Sequence, residues 1–150
     1  MNKPLRLIEA GIDQVEAAAG LFNSYRQFYQ FPSDLEACRG FLRDRLQHGE
    51  SRVFLVLAEG VPAGFMQLYP SFSSLSLRRV WILYDLFVAP AARKLGVARM
   101  LLERAHALAV ETGASEISLA TAIDNRAAQH AYEVTGWVRD EEFFYYNLVI

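Results

Sequence analysis

Residues 84–102 read YDLFVAPAARKLGVARMLL, and this stretch decides the fold. Its first part is rich in β-branched and aromatic residues, so it predicts the end of a strand that runs from Val80 to Val88. Pro90 ends this strand because proline cannot donate a ladder hydrogen bond. Beyond the turn the apolar spacing becomes helical, at Ala98, Leu101, Ala105, Leu108 and Thr112. The stretch therefore predicts a strand, a short basic turn and an amphipathic helix.

The turn between this strand and this helix has the features of an anion site. Gly96 stands in the first turn of the helix, where a side chain would keep a ligand away. The free N–H groups of a helix N-terminus and the helix dipole favour bound phosphate, and Arg93 and Lys94 add positive charge. The alternative is an ordinary turn in which both basic side chains are merely solvated.

Length and composition limit the possible classes of protein. A chain of 150 residues fits one domain, 1–150, that buries a sizeable core, and 53% hydrophobic with 21% charged residues argues against disorder. A net charge of −2 with no long run of Lys or Arg disfavours a nucleic-acid binder. The N-terminal residues lack a signal-peptide pattern, and no apolar run approaches membrane-spanning length, so we expect a cytoplasmic protein without a membrane partner.

Cysteine and histidine give no metal signal. Cys38 is the only cysteine, which excludes an intramolecular disulfide and a cysteine-based metal cluster. His48, His106 and His130 are scattered along the chain. We therefore expect no metal.

The N-terminal half predicts a strand, two helices and a hairpin. Leu5 to Glu9 alternates as a first strand, and the patterns Asp13-x-x-Glu16 and Ser33-x-x-Glu36 predict capping boxes at two helix starts. Ile12, Val15, Ala18, Phe22 and Tyr29 mark the buried side of the first helix. Residues 53–59 and 63–69 form a hairpin across a tight turn. Residues 71–77 predict either a mobile lid or a partner contact.

The C-terminal half continues the strand–helix pattern. Residues 116–121 predict a strand parallel to the strand at 80–88, because a crossover helix joins the two. The pair Asp124-Asn125 predicts the N-cap of a short helix, and residues 143–150 predict a final strand. The predicted fold class is therefore α/β, with a mixed, mostly antiparallel sheet and helices on both faces.

Two motifs carry a resemblance to a known family. Arg93-x-x-Gly96-x-Ala98 resembles the Q/R-x-x-G-x-G/A signature of the GNAT superfamily of acyl-CoA-dependent N-acyltransferases. Residues 125–137 resemble the family's block N-x-x-A-x-x-x-Y-x-x-x-G-F, with Trp137 in place of phenylalanine. Among the branches of this family, the sequence is similar to the diamine-acetyltransferase-like branch. The resemblance implies a GNAT-like fold with an acyl-CoA cleft between two splayed parallel strands.

The resemblance also implies a set of donor-binding residues. Turn amides of the family hold the pyrophosphate of coenzyme A, and the preceding strand and the asparagine of the second block contact the pantetheine arm. In this sequence these residues are Leu86, Phe87, Val88, Arg93, Lys94, Leu95, Gly96, Val97, Ala98 and Asn125. Tyr132 matches the tyrosine that lies near the coenzyme sulfur, where its hydroxyl would supply a proton to the leaving thiolate. An N–H of Phe87 or Val88 would stabilise the oxyanion.

The acceptor side is less defined by the resemblance. Tyr25, Tyr29 and Phe31 lie in an aromatic segment that either packs in the core or lines the substrate site, as the equivalent segment of the family does. Tyr84 stands where diamine-acetyltransferase-like members often have a glutamate, and Asp85 follows it. Strand alternation puts these two side chains on opposite faces, so at most one enters the cleft. We expect Tyr84 to line the acceptor site and a water relay to remove the proton, with Asp85 as either a candidate base or a structural residue.

The expected activity is transfer of an acetyl group from acetyl-CoA to a primary amine of a small molecule. Two other readings remain open: acetylation of protein lysines or N-termini, and a non-catalytic acyl-CoA-binding module. A nucleotide-dependent enzyme is disfavoured because no G-x-G-x-x-G or G-x-x-x-x-G-K-[ST] motif is present. Members of the family often dimerise, which implies a homodimer.

Overall fold

The computed structural model describes residues 4–150, which divide after Ala120 into two units. The elements of the first unit are β1 (Leu5–Ala10), α1 (Val15–Phe28), α2 (Leu35–Gln47), β2 (Arg52–Ala58), β3 (Val61–Ser73), β4 (Arg78–Val88), α3 (Val97–Glu111) and β5 (Glu116–Ser118). The second unit holds α4 (Arg126–Val134).

The sheet of the first unit is mixed and mostly antiparallel, as predicted. Its strand order is β1-β2-β3-β4-β5, and every pair up to β4 is antiparallel. β4 and β5 are parallel, with Val80 opposite Glu116 and Ile82 opposite Ser118. The pairing of the parallel strands stops there, while β4 continues to Val88.

Helices cover both faces of this sheet. On one face the Phe22 ring of α1 packs on the Phe65 ring of β3, with 5.6 Å between centroids. On the other face α3 lies so close to Gly64 of β3 that an added methyl group would overlap the Val97 side chain. A glycine at position 64 is therefore needed for the close packing of α3 on the sheet.

A β-bulge interrupts β4 at Tyr84. Gln67 lies opposite Asp85 and Leu68 lies opposite Leu83, so Tyr84 is an extra residue. The Tyr84 ring contacts the Tyr69 ring at 5.5 Å, and Tyr69 lies two residues from Gln67 on the face that carries Asp85. The prediction that Tyr84 and Asp85 lie on opposite faces is therefore wrong, because the bulge breaks the alternation on which it depended.

The helix starts differ from the predicted capping boxes. A short 3₁₀ turn precedes α1, and there Gln14 Oε1 accepts a hydrogen bond from the Gly11 N–H at 2.7 Å. Asp34, one residue after Ser33, caps α2 by accepting from the Ala37 N–H at 3.0 Å. Val15, Ala18 and Phe22 are buried as predicted, but Ile12 and Tyr29 are exposed.

The segments 71–77 and 143–150 have structures that local pattern did not predict. β3 extends to Ser73, so the segment 71–77 is strand and turn in a long β3–β4 hairpin, and its role as a lid or a partner contact stays a prediction. Residues 143–150 form no strand, although their residue types have strand propensity, because this propensity depends strongly on the tertiary context. None of the helices in residues 4–150 has the length and hydropathy to cross a membrane.

Candidate active site

A buried carboxyl group lies on β4 at the bulge. Asp85 is only 3% exposed, and its Oδ2 accepts a hydrogen bond from Gln67 Nε2 at 2.9 Å. Burial raises the pKa of Asp85 to about 6, although hydrogen bonds from Gln67 and Tyr25 oppose this effect. This carboxyl group therefore changes its charge close to neutral pH.

Tyrosine side chains surround Asp85. The Tyr25 hydroxyl donates to the Tyr84 carbonyl at 3.2 Å. Burial, and then the nearby charge of Asp85, raises the pKa of both Tyr25 and Tyr69 above the usual value, so both hydroxyls stay protonated. Tyr84 itself is 64% exposed. The arrangement combines one buried carboxyl group with neutral hydroxyl donors and an accessible aromatic ring.

The end of α1 adds more aromatic surface. The Tyr29 ring lies 5.1 Å from the Tyr25 ring, and the Phe28 ring lies 5.3 Å from the Tyr29 ring. The Arg26 guanidinium lies 5.3 Å from the Phe31 ring centroid. Tyr29 and Phe31 are both exposed, so neither is a core residue. The structure thus brings Tyr25, Tyr29 and Tyr84 together, while Phe31 lies beside Arg26.

The ladder between β3 and β4 decides which N–H groups face β5. The Ala89 N–H donates to the Ala63 carbonyl at 2.8 Å, so by antiparallel alternation Phe87 also bonds to β3. The N–H groups of Leu86 and Val88 then point away from β3, towards the edge where the pairing with β5 has ended. Consistent with this direction, the Val88 carbonyl accepts from Arg93 Nε at 3.3 Å. Val88 is therefore a better oxyanion donor than Phe87.

The turn after β4 presents backbone groups at the start of α3. Arg93, Lys94, Leu95 and Gly96 are exposed, and Lys94 and Gly96 have positive φ angles of 66° and 85°. No side chain caps the first N–H groups of α3, and a Cβ added to Gly96 would meet nothing within 4 Å. These features fit the pyrophosphate of coenzyme A. Val97 is buried under the sheet, so only its backbone, with that of Ala98, contributes.

The second unit carries the other predicted site residues. Asn125 Oδ1 accepts from the Ala128 N–H at 3.2 Å, which confirms its predicted role as the N-cap of α4. Tyr132 is half-buried, and its ring lies 6.0 Å from the Trp137 ring. In residues 4–150 no three His, Cys, Asp or Glu side chains are grouped to hold a metal ion.

Comparisons with known proteins identify the family. The family model for "Acetyltransferase (GNAT) family" matches residues 18–137. The chain belongs to the GNAT family. It is 41% identical over 144 residues to "Uncharacterized N-acetyltransferase YhfO" of Bacillus subtilis (strain 168), which covers 96% of this chain and 97% of the relative. It is therefore an N-acetyltransferase.

Solved structures agree with this family assignment. The crystal structure of a "probable acetyltransferase" has a TM-score of 0.92 and 46% identity, and the match covers 97% of each chain. The aminoglycoside N-acetyltransferase AAC(6')-Iy in complex with CoA has a TM-score of 0.81 and 21% identity, over 99% of this chain and 97% of that one. The second likeness shows the shared GNAT fold.

Gln67 is the residue of this GNAT site that sequence reasoning missed. Its side chain is fully buried and contacts Asp85 directly. The signal was present, because Gln67 is a polar residue between Phe65 and Tyr69 at a strand position that alternation turns towards the core. A polar side chain at such a position needs a buried partner.

Proposed function

We propose that this GNAT enzyme, working as a single domain, transfers the acetyl group of acetyl-CoA directly to a primary amine of a small molecule. The observation that carries the proposal is Asp85, a buried carboxyl group with a pKa near 6 among neutral tyrosines. General bases work best when their pKa lies close to the working pH. A diamine-like acceptor remains part of the proposal.

The donor would be held at the end of β4 and in the following turn. Acetyl-CoA supplies the acetyl group as a thioester. The N–H groups of α3 and the turn residues 93–98 would bind the pyrophosphate, and the strand end with Asn125 would bind the pantetheine arm. The Val88 N–H would stabilise the oxyanion. Tyr132 would donate a proton to the leaving sulfur.

The acceptor amine must lose a proton before it attacks. A Lys-like amine has a pKa of about 10.4 and is mostly protonated at neutral pH. Asp85 would accept that proton, directly or through a water, and Tyr84 would line the approach with Tyr25 and Tyr29. The rate gain would come from holding both reactants together, since no covalent enzyme intermediate is needed.

Two alternative functions give different outcomes in the same assay. Acetylation of protein lysines or N-termini requires a polypeptide acceptor, and a regulatory module would bind acyl-CoA without turnover. The exposed rings of Tyr29 and Tyr84 support a compact aromatic-lined acceptor site. We further propose a cytoplasmic homodimer, because members of the family often dimerise.

The test is release of free CoA thiol from acetyl-CoA, with polyamines, amino acids, aminoglycosides, arylamines or lysine peptides as acceptors. Amine-dependent release would support the proposal and name the acceptor class. Saturable CoA binding without release for every acceptor would favour the regulatory module, and release only with peptides would favour a protein acceptor.

Tyr132→Phe tests the proposed proton donor. We expect kcat to fall by about 100-fold or more, since general acid catalysis typically contributes about 10²- to 10⁴-fold, while acetyl-CoA binding stays intact. Tyr146→Phe removes a hydroxyl from an exposed tyrosine of the same unit and should leave kcat unchanged. If the chemical step limits kcat and Tyr132→Phe leaves kcat unchanged, Tyr132 is not the proton donor and only packs against its neighbours.

A further inference from the structure

We infer that Gln67 is a positioning residue that holds Asp85 ionised and aimed at the acceptor amine. This inference rests on the proposed function, in which Asp85 is the base. Gln67 lies on β3 directly opposite Asp85 on β4, and its Nε2 donates to Asp85 Oδ2 at 2.9 Å. The two side chains therefore form a hydrogen-bonded cross-strand pair at the bulge.

The burial of Gln67 shows that this contact fixes its amide. Gln67 is fully buried, and its Oε1 has no hydrogen-bond partner within residues 4–150. Leaving a buried carbonyl oxygen unpaired is unfavourable. The hydrogen bond that Nε2 of Gln67 donates to Asp85 explains this orientation of the amide, because a hydrogen bond to an ionised carboxylate is about twice as strong as one between neutral groups. With the amide reversed, Oε1 would face the carboxylate and repel it.

The other groups that face Asp85 do not replace this donor. Tyr25 faces it from α1 and Tyr69 from β3, while Tyr29 and Tyr84 act on Tyr25, and Arg45 of α2 acts on Tyr69. Tyr25 also donates to Asp85, but its hydroxyl is shared with the Tyr84 carbonyl. Gln67 is thus the fully buried donor dedicated to the carboxylate. Without it, burial would favour the protonated carboxyl, which cannot accept a proton from the amine.

The test is a titration of Asp85 in the full-length protein by NMR of ¹³C-labelled aspartate carboxyl groups. Asp85→Asn assigns the signal. Gln67→Met keeps the length and volume of the side chain but removes the donor, and Gln67→Leu is the second variant if the first does not fold. Met66→Leu is the matched control, since Met66 is equally buried on the same strand and neighbours Gln67.

We expect Gln67→Met to raise the midpoint of Asp85 by about one pH unit and Met66→Leu to leave it unchanged. In an active preparation, the acid limb of the kcat/KM profile should move upwards by the same amount. An Asp85 midpoint in Gln67→Met equal to that of the native protein would overturn the inference. The titration needs no acceptor, so a shifted midpoint together with no turnover on any amine would contradict the proposed function and leave only the effect of Gln67 on the ionisation of Asp85.

Discussion

The buried carboxyl of Asp85 couples the stability of the fold to pH. Its pKa is about 6 in the folded chain and 3.8 when unperturbed, a difference of about 2 units. Below the unperturbed value the carboxyl is protonated in both states. As pH rises towards 6 the unfolded chain ionises first, so stability falls by up to about 3 kcal/mol and then levels off.

Asp85→Asn should separate this stability effect from catalysis. Because the amide carries no charge, we expect the variant to be more stable than the native protein at pH 8 by up to about 3 kcal/mol, and equally stable near pH 4. Its acetyl transfer should fall sharply, and the acid limb of its pH profile should disappear. Urea unfolding at both pH values measures the first effect, with the exposed Asp44→Asn as control. Equal stabilities at pH 8 would mean that Asp85 is not a costly buried charge.

Individual residues of the site could be predicted where a sequence pattern indicates them. The aromatic segment led to Tyr25, which the structure places beside Asp85, and to Tyr29, whose ring packs on that of Tyr25. Gln67 was missed because its role depends on a partner eighteen residues away on another strand. Register across a sheet is set by turn and bulge geometry, which a single sequence shows poorly.

The turn between β4 and α3 is the element whose role is easiest to test. Gly96→Glu should place a side chain and a negative charge in the path of the pyrophosphate. Gly113→Glu is the matched control, because Gly113 also has a positive φ and open space around it, at the other end of α3. Both variants should lose a similar stability, about 1–2 kcal/mol, from the left-handed backbone.

The two variants should differ in their affinity for coenzyme A. We expect Gly96→Glu to weaken CoA binding by at least about tenfold, or 1.4 kcal/mol, and Gly113→Glu to leave it within about twofold. Calorimetric titration with CoA measures both. Equal losses of affinity would assign the effect to backbone strain and refute the anion site.

Most elements followed from local pattern. Periodicity and turn residues predicted α1 to α4, the β2–β3 hairpin and the parallel β4–β5 pair, and the structure confirms them. The cap of α2 lies one residue later than predicted, since Asp34 accepts from the Ala37 N–H while Ser33 Oγ accepts from Asn23 Nδ2. The predicted strand at 143–150 is wrong, because strand propensity depends strongly on the tertiary context, which a local pattern does not contain.

Packing of α3 on the sheet determines the stability of the first unit. Gly64→Ala would force a methyl group into the Val97 side chain and to 3.2 Å from Leu101 Cδ1. We expect it to lower the free energy of unfolding by about 1–3 kcal/mol, the usual cost of overpacking. It should also weaken CoA binding, since Val97 begins the helix whose N-terminus forms the anion site.

Gly20→Ala is the control with the opposite sign. Gly20 lies inside α1, and a Cβ added there meets nothing within 4 Å. Replacing a helical glycine by alanine should stabilise the protein by about 0.5–1 kcal/mol. Urea unfolding of both variants gives the comparison. A stable Gly64→Ala variant would show that α3 can move away from β3 without loss.

At the scale of the whole molecule, the mixed sheet could be predicted, because the rules for crossovers and hairpins leave few alternative strand arrangements. The bulge was not, since Tyr84 reads as an ordinary strand residue.

Tyr84 reverses the side-chain alternation of β4. Before it, Trp81 donates to Thr112 in the α3 layer, and after it, Phe87 packs on Tyr25 in the α1 layer. If Tyr84 were deleted, Leu83 and Asp85 would be consecutive residues that pair with Leu68 and Gln67. Each would still face the layer that it faces now. Both hydrophobic layers could thus be built without this residue. Under the proposed function, Tyr84 would then be an extra residue that serves the acceptor site and not the packing of either layer.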